Sequence, residues 1–301
     1  MIEMTEKALS KALKDSDYFQ TLTPGEMMHV LITDVIARGD VKKKDFEHWM
    51  TQEEHWPQIS APDRMDEVLR VLEEPAPSAA LQALQRTGFM AFCLPKCFPI
   101  RKLMDKKTFY NIIDNFDALN IRRDDVGFRL AMLMFSFDPY ATEVTLRDAN
   151  FTEEAVDWIC NLIYFYMEFI RLRNQKSLEE FVGRFGKDFY FDMNDYAQYA
   201  WKLGKMRELK PLESYSFVDS MIKHGYVLDA EDLEVTAQDL WDAGAESEEE
   251  VEALQSILVK HCHKYKNENK KKMLLALVHD LTQKQIDKEI KHLKKVKTRR
   301  Y

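Results

Sequence analysis

Between Ala61 and Pro95 the chain reads A-P-D-R-M-D-E-V-L-R-V-L and then L-Q-A-L-Q-R-T-G-F-M-A-F-C-L-P, two apolar patterns at helical spacing separated by Pro75 and Pro77. Each segment must bury one stripe against another helix. The prolines make the join a hinge, because neither can continue a helix. Little elsewhere interrupts helices: the 301 residues hold 9 Gly and 9 Pro, below the usual shares of roughly 7% and 5%. No alternating pattern closes on an Asn-Gly or Asp-Gly turn. The expected fold is all-α, an elongated multi-helix array with ample length for a core.

Local signals place several helices. Residues 1–20 carry a weak amphipathic pattern. Thr23-Pro24 opens a helix as N-cap and first-turn proline, Met27, Val30, Leu31, Val35 and Ile36 follow its spacing, and Gly39 ends it. A short helix is expected from Lys44 to Thr51. After the 61–95 pair come Phe109 to Leu119, Val126 to Phe135, Thr152 to Leu172, Ser177 to Phe185 and Asp192 to Met206. The last section includes Leu233 to Ala243, Glu249 to Lys260, Lys270 to Leu281 and a helix from Gln285 that frays into a basic tail. This divides the chain into N-terminal helices (1–59), a neck-like region (60–105), a helical body (106–212) and a helical tail (213–301).

The net charge of −8 conceals an asymmetry. After Val259 there are 14 Lys/Arg against 4 Asp/Glu, or +10, which leaves −18 on the first 259 residues. A basic end on an acidic body is the footprint of a phosphate-facing tail, or of a solvated helix end. Cys93, Cys97, Cys160 and Cys262, with no signal peptide and no bilayer-length apolar run, predict a cytoplasmic protein with no membrane partner. No zinc site or other cofactor is expected. Leu94-Pro95 starts a turn between Cys93 and Cys97, and His261 and His263 face nearly opposite sides of a helix.

The order of motifs resembles the neck, body and tail of bacterial tRNA nucleotidyltransferases (CCA-adding enzymes) and poly(A) polymerases. There E-R-x-x-x-E-L-x-x-L leads into L-L-x-x-T-G-L-L-x-x-x-L-P, as Arg64 to Leu72 lead here into Thr87-Gly88-Phe89 and Leu94-Pro95. Arg129-Leu130-Ala131-Met132-Leu133 is similar to the body's R-L-A-x-L. Thr145-Leu146-Arg147 with Phe151-Thr152-Glu153-Glu154 resembles L-K-R-L-x-x-S-x-E-E-I, and Val182 to Asp188 resembles R-x-x-G-x-x. Asp239-Leu240-Trp241-Asp242-Ala243-Gly244 matches the tail opening D-L-x-x-x-G. The resemblance covers roughly residues 20–280 and implies structured RNA, tRNA above all, as ligand.

The departures bear on activity. The family's catalytic head, with its Gly-Ser pair and metal-holding D-x-D, has no counterpart, and two-metal nucleotidyl transfer needs such carboxylates. The chain is therefore expected not to be an enzyme by itself. Glu26 and His29 stand where the family has triphosphate-binding arginines. Leu133 to Pro139 replaces an HD-type metal motif and lacks its His, leaving Asp138 alone. Ala245 to Glu250 replaces a glycine-rich phosphate-binding turn with acids that suit a helix N-terminus and repel phosphate.

Candidate RNA contacts are Arg64, Lys264, Lys266, Lys270, Lys271, Lys272, Lys294, Lys295, Arg299 and Arg300, with Tyr265 as a possible stacking ring. The plainer reading of Arg64 is an i, i+3 surface pair with Glu67. The aromatic series Phe165, Tyr166, Phe169, Phe181, Phe185, Phe189, Tyr190, Phe191, Tyr196 and Tyr199 is expected to pack a core. Three functions remain open: a non-catalytic RNA binder, a protein-interaction scaffold that has lost RNA, and the RNA-binding half of a split enzyme partnered by a separate nucleotidyltransferase head protein.

Overall fold

The computed structural model describes residues 4–41, 44, 49, 57–98, 106–122, 125–172, 175–206 and 223–298. Among the described residues the regular elements are helices, with no strand, so the fold is all-α. No helix among them is long and apolar enough to cross a membrane. The chain divides into two compact units, Met1–Phe165 with Gln198–Leu209, and Tyr166–Ala197 with Lys210–Tyr301.

In the first unit, α1 (Glu6–Ala12) and α2 (Ser16–Phe19) precede α3 (Pro24–Arg38). Thr23 Oγ1 accepts from the Glu26 N–H at 3.3 Å, and Glu26 Oε2 accepts from the Thr23 N–H at 2.8 Å, which closes a capping box. Glu26 is thereby committed to its own helix. Gly39 ends α3 at φ 66°, and a Cβ there would lie 2.8 Å from Ala79 Cβ, so glycine is required twice over. The helix expected from Lys44 to Thr51 lies mostly outside the described residues. Within it Lys44 and Trp49 are helical, and Trp49 is buried against Phe89 and Phe92 at centroid distances of 5.2 and 5.0 Å.

The neck pair forms as α4 (Ala61–Glu73) and α5 (Ser78–Arg86), followed by α6 (Phe89–Cys93). Ser60 caps α4, and Met65, Val68, Val71 and Leu72 form its buried side. Gly88 supplies the left-handed turn between α5 and α6, at φ 80°. Pro77 has no side chain to cap α5, and Asp117 supplies the cap from a distant turn. Its carboxylate accepts from the Ser78 N–H at 2.8 Å, and its own N–H donates to Ser78 Oγ at 3.0 Å.

Helix α7 (Lys106–Asp114) and the 3-10 turn Phe116–Arg122 lead to α8 (Val126–Leu133). The Arg of R-L-A-x-L, Arg129, is fully buried on α8 and donates from Nη2 to Glu74 O at 2.9 Å, over the ring of Phe116. Glu74 ends α4, so this cation satisfies a helix C-terminal carbonyl. Asp138 accepts from the Ala141 N–H at 3.1 Å and caps α9 (Pro139–Asp148). The apolar spacing does not announce α9, since two of its three buried residues are Thr142 and Thr145. Thr152 caps α10 (Glu153–Phe169), its Oγ1 accepting from the Ala155 N–H at 3.3 Å.

In the second unit, α11 (Gln175–Phe185) and the start of α12 (Lys187–Leu203) carry much of the aromatic series. Phe169, Phe181 and Tyr190 are buried, with Phe169–Phe181 and Phe169–Tyr190 centroids 5.4 and 5.5 Å apart. Lys187 fastens the N-terminus of α12. Its N–H donates to Asp229 Oδ2 at 3.2 Å, and its Nζ lies 2.7 Å from Asp232 Oδ1. Burial pulls the Lys187 pKa down, but its hydrogen bond to Asp232 and the charges of Asp229 and Asp232 outweigh it and leave the pKa raised. Helices α13 (Ala237–Asp242), α14 (Glu248–Lys264), α15 (Lys271–Asp280) and α16 (Gln283–Thr298) enclose a core of Leu240, Val251, Leu254, Leu258, Leu274 and Val278. The four cysteines are buried free thiols, and burial pushes Cys97 and Cys262 up to about 11, so neither is a reactive thiolate near neutrality.

Glu67 corrects the sequence reading. It does not form a surface pair with Arg64: it is 2% exposed on α4 and joins α4 to α3. His29 Nδ1 lies 2.7 Å from Glu67 Oε1 and 2.9 Å from Arg70 Nη1. Arg70 Nη1 takes the other carboxylate oxygen, and Arg70 Nη2 donates to Thr33 Oγ1 at 2.8 Å. Thr33 donates in turn to His29 O at 2.8 Å. His29 is thus held inside the fold. Glu67→Ala removes the buried acceptor that the part-exposed Arg70 and His29 share and should destabilise the chain by about 1.5–3 kcal/mol in urea denaturation. A loss below about 1 kcal/mol, the value of a surface pair, would contradict this assignment.

Candidate nucleic-acid interface

Helix α14 places acids at one end and bases at the other. Ser247 caps it, Oγ accepting from the Glu250 N–H at 3.2 Å, and Glu248, Glu249 and Glu250 fill the first turn. His261, His263 and Lys264 fill the last turn, and both ends suit the helix dipole. The acid-rich turn from Ser247 to Glu250 is therefore a helix-capping segment.

At the basic end, rings and cations gather. Tyr265 is 43% exposed, with Lys264 Nζ 5.0 Å from its ring centroid and the His261 ring at 4.8 Å. His261 Nε2 pairs with Glu268 Oε2 at 2.7 Å, which fixes the imidazole beside that ring. Tyr226 stacks on His263 at 5.7 Å and 17°, and Lys266 Nζ sits 4.8 Å over the Tyr226 ring. The Tyr226 hydroxyl donates to Glu179, whose other oxygen lies 3.9 Å from His263 Nδ1. Lys270 and Lys272 follow, both exposed, at the start of α15. The sequence reading missed Tyr226, which lies 39 residues before Tyr265 and is signalled by nothing local.

The other candidates fall into different settings. Lys271 Nζ lies 2.6 Å from Asp239 Oδ1, and Lys294 Nζ lies 2.8 Å from Glu249 Oε2, so both are engaged within the chain. Lys295 is exposed on α16. Arg299 and Arg300 lie outside the described residues. Arg64, in the first unit, sets its guanidinium 5.5 Å from the Phe92 ring centroid and is only partly exposed, as a packing residue would be.

Three lysines not singled out by the sequence reading complete the picture. Lys284, Lys288 and Lys291 are exposed on α16, in line with Lys295 at i, i+4, i+7 and i+11. That spacing was visible in the sequence, but a count of basic residues does not reveal it. The three like-charge neighbour pairs it creates each cost the helix about 0.2–0.5 kcal/mol. Among the described residues no carboxylate pairs with Lys284, Lys288 or Lys291, and no group of three or more His, Cys, Asp or Glu could hold a metal ion. No family model, curated protein or solved structure matches the chain.

The paired lysines are tested by acid. The hydrogen bond from Lys271, with those from Thr236, lowers the Asp239 carboxyl from 3.8 to about 2. A depressed folded pKa contributes stability that is present above the unfolded value and lost as pH falls through the folded one. Asp239→Asn should therefore lower stability at pH 7, with an effect that shrinks as pH falls below about 4 and vanishes only below the folded pKa of about 2, measured by urea unfolding across that range. An equal effect at both ends would show that the Asp239 charge contributes nothing.

Proposed function

We propose that this chain is a non-catalytic, tRNA nucleotidyltransferase-like protein that binds structured RNA, with tRNA as first candidate, through shape and phosphate contacts. The observation that carries the reading is the exposed cluster at the end of α14, where Lys264 and Lys266 lie over the rings of Tyr265 and Tyr226. Cations beside an exposed ring can meet phosphate and an unpaired base together. A chain of net charge −8 has no general attraction for polyanions, so unpaired cations collected in one unit favour a specific anionic ligand. The ordered motifs from the neck to the tail add tRNA as the member of that class. Nucleotide addition is not part of the reading: the D-x-D of this sequence, Asp15-Ser16-Asp17, caps the short helix α2, Asp15 Oδ1 accepting from the Asp17 and Tyr18 N–H groups, whereas two-metal transfer needs carboxylates that clamp both ions.

The exposed glutamates at the start of α14 favour a second reading, a protein-interaction scaffold. Filter retention of tRNA by the full chain separates the two. Binding at low salt should weaken steeply as salt rises, and Lys264→Gln with Lys266→Gln should reduce the salt slope by about 2. Tyr265→Ala should weaken binding without changing that slope. No retention even at low salt would overturn the RNA reading, and a stoichiometric protein partner in a pull-down free of RNA would establish the scaffold. Restored nucleotide incorporation on mixing with a free-standing head protein would identify half of a split enzyme.

A further inference from the structure

We infer that the outer face of α16 is a rail for the phosphate backbone of double-helical RNA, an inference that rests on the RNA reading above and adds the form of RNA taken. At about 100° per residue, Lys284, Lys288, Lys291 and Lys295 fall within about 60° of arc. The opposite face carries Ile286, Glu289, Ile290 and Leu293, all partly buried. Ile286 packs on the core, and Glu289 accepts from Ser256 Oγ and Lys260 Nζ of α14, so contacts fix which face points outward. The line of cations runs about 16 Å at 1.5 Å per residue.

The paired and unpaired lysines of this unit are segregated. Lys260, Lys271 and Lys294 each have a carboxylate, on Glu289, Asp239 and Glu249. Lys284, Lys288 and Lys291 have none among the described residues. Asp287, which flanks the line, accepts from Gln283 Nε2 at 3.3 Å instead. A helix face that served only for solvation would mix signs at i, i+4 and gain stability from it. Here Lys284–Lys288 and Lys291–Lys295 repeat one sign at i, i+4, and the flanking Asp287 is the one acid of α16 at such spacing to the line.

The geometry points to duplex. A straight row of cations on a rigid helix suits a rigid polyanion whose phosphates keep fixed positions. No Phe, Tyr or Trp lies between Lys284 and Lys295, where His292 is the one ring, whereas single strands are gripped by stacking as well as charge. The rings of this basic surface are at Tyr226 and Tyr265, so the two features divide the ligand between them: backbone on α16, unpaired bases at the end of α14.

The test uses the full chain with a short blunt RNA duplex and with oligouridylate. The triple variant Lys284→Gln, Lys288→Gln, Lys291→Gln should bind duplex at least tenfold more weakly, with a salt slope reduced by about 2–3. It should keep its oligouridylate affinity and its unfolding midpoint, since glutamine is as good a helix former as lysine. Lys294→Gln, off the line and already paired, should change duplex affinity less than twofold. Unchanged duplex binding by the triple variant, with wild-type tRNA retention intact, would overturn the rail and leave the RNA reading standing. Equal losses on duplex and oligouridylate, or a loss from Lys294→Gln as large as the triple, would reduce the rail to diffuse charge and overturn it. Failure of the wild-type chain to bind any RNA would overturn both.

Discussion

Glu289 is the group on which the charge arrangement of the C-terminal unit turns. Its side chain is 15% exposed on the inner face of α16 and takes Lys260 Nζ at 2.5 Å and Ser256 Oγ at 2.9 Å from α14. Burial raises its pKa, but the hydrogen bonds from Lys260 and Ser256 outweigh this and leave it lowered, so it stays ionised at neutral pH. With Glu289, Ile286, Ile290 and Leu293 turned toward the unit's interior, helical geometry leaves Lys284, Lys288 and Lys291 only the outward direction. One inward contact thus decides which cations hold the fold and which face solvent.

The same division recurs in the rest of the molecule. Arg129, Arg70 and Lys187 are spent on the fold: one closes a helix C-terminus, one balances buried Glu67, and one fastens the start of α12. His29 and Glu26 are spent likewise. Burying charge is costly unless it is paired, so these groups are bound to their partners and unavailable to a ligand. In the C-terminal unit, the cations that remain for a ligand lie at the end of α14, at the start of α15 and on the outside of α16.

How much of this could be read from sequence follows the range of each interaction. Thr23-Pro24, Gly39, Gly88 and Thr152 are local devices, and each marks the helix boundary its residue type implies. Glu67 was misread because its true partner His29 lies 38 residues away, while Arg64 lies within one turn. The caps from Asp117 to α5 and from Arg129 to α4 are equally distant and carry no motif. For the candidate site, residue type singled out Lys264, Lys266, Lys270 and Lys272 as RNA contacts, and all four are exposed. It could not separate them from Lys271 and Lys294, because an ion pair with Asp239 or Glu249 depends on packing between helices.

The central claim is that the cations of the C-terminal unit divide into those that hold the fold and those that meet RNA. Lysine acetylation footprinting of the full chain, with and without tRNA and read residue by residue, tests it most directly. The account predicts protection by tRNA at Lys264, Lys266, Lys284, Lys288 and Lys291, with Lys187, Lys260 and Lys271 equally reactive in both states. Uniform protection of all lysines, or protection confined to the paired set, would contradict it.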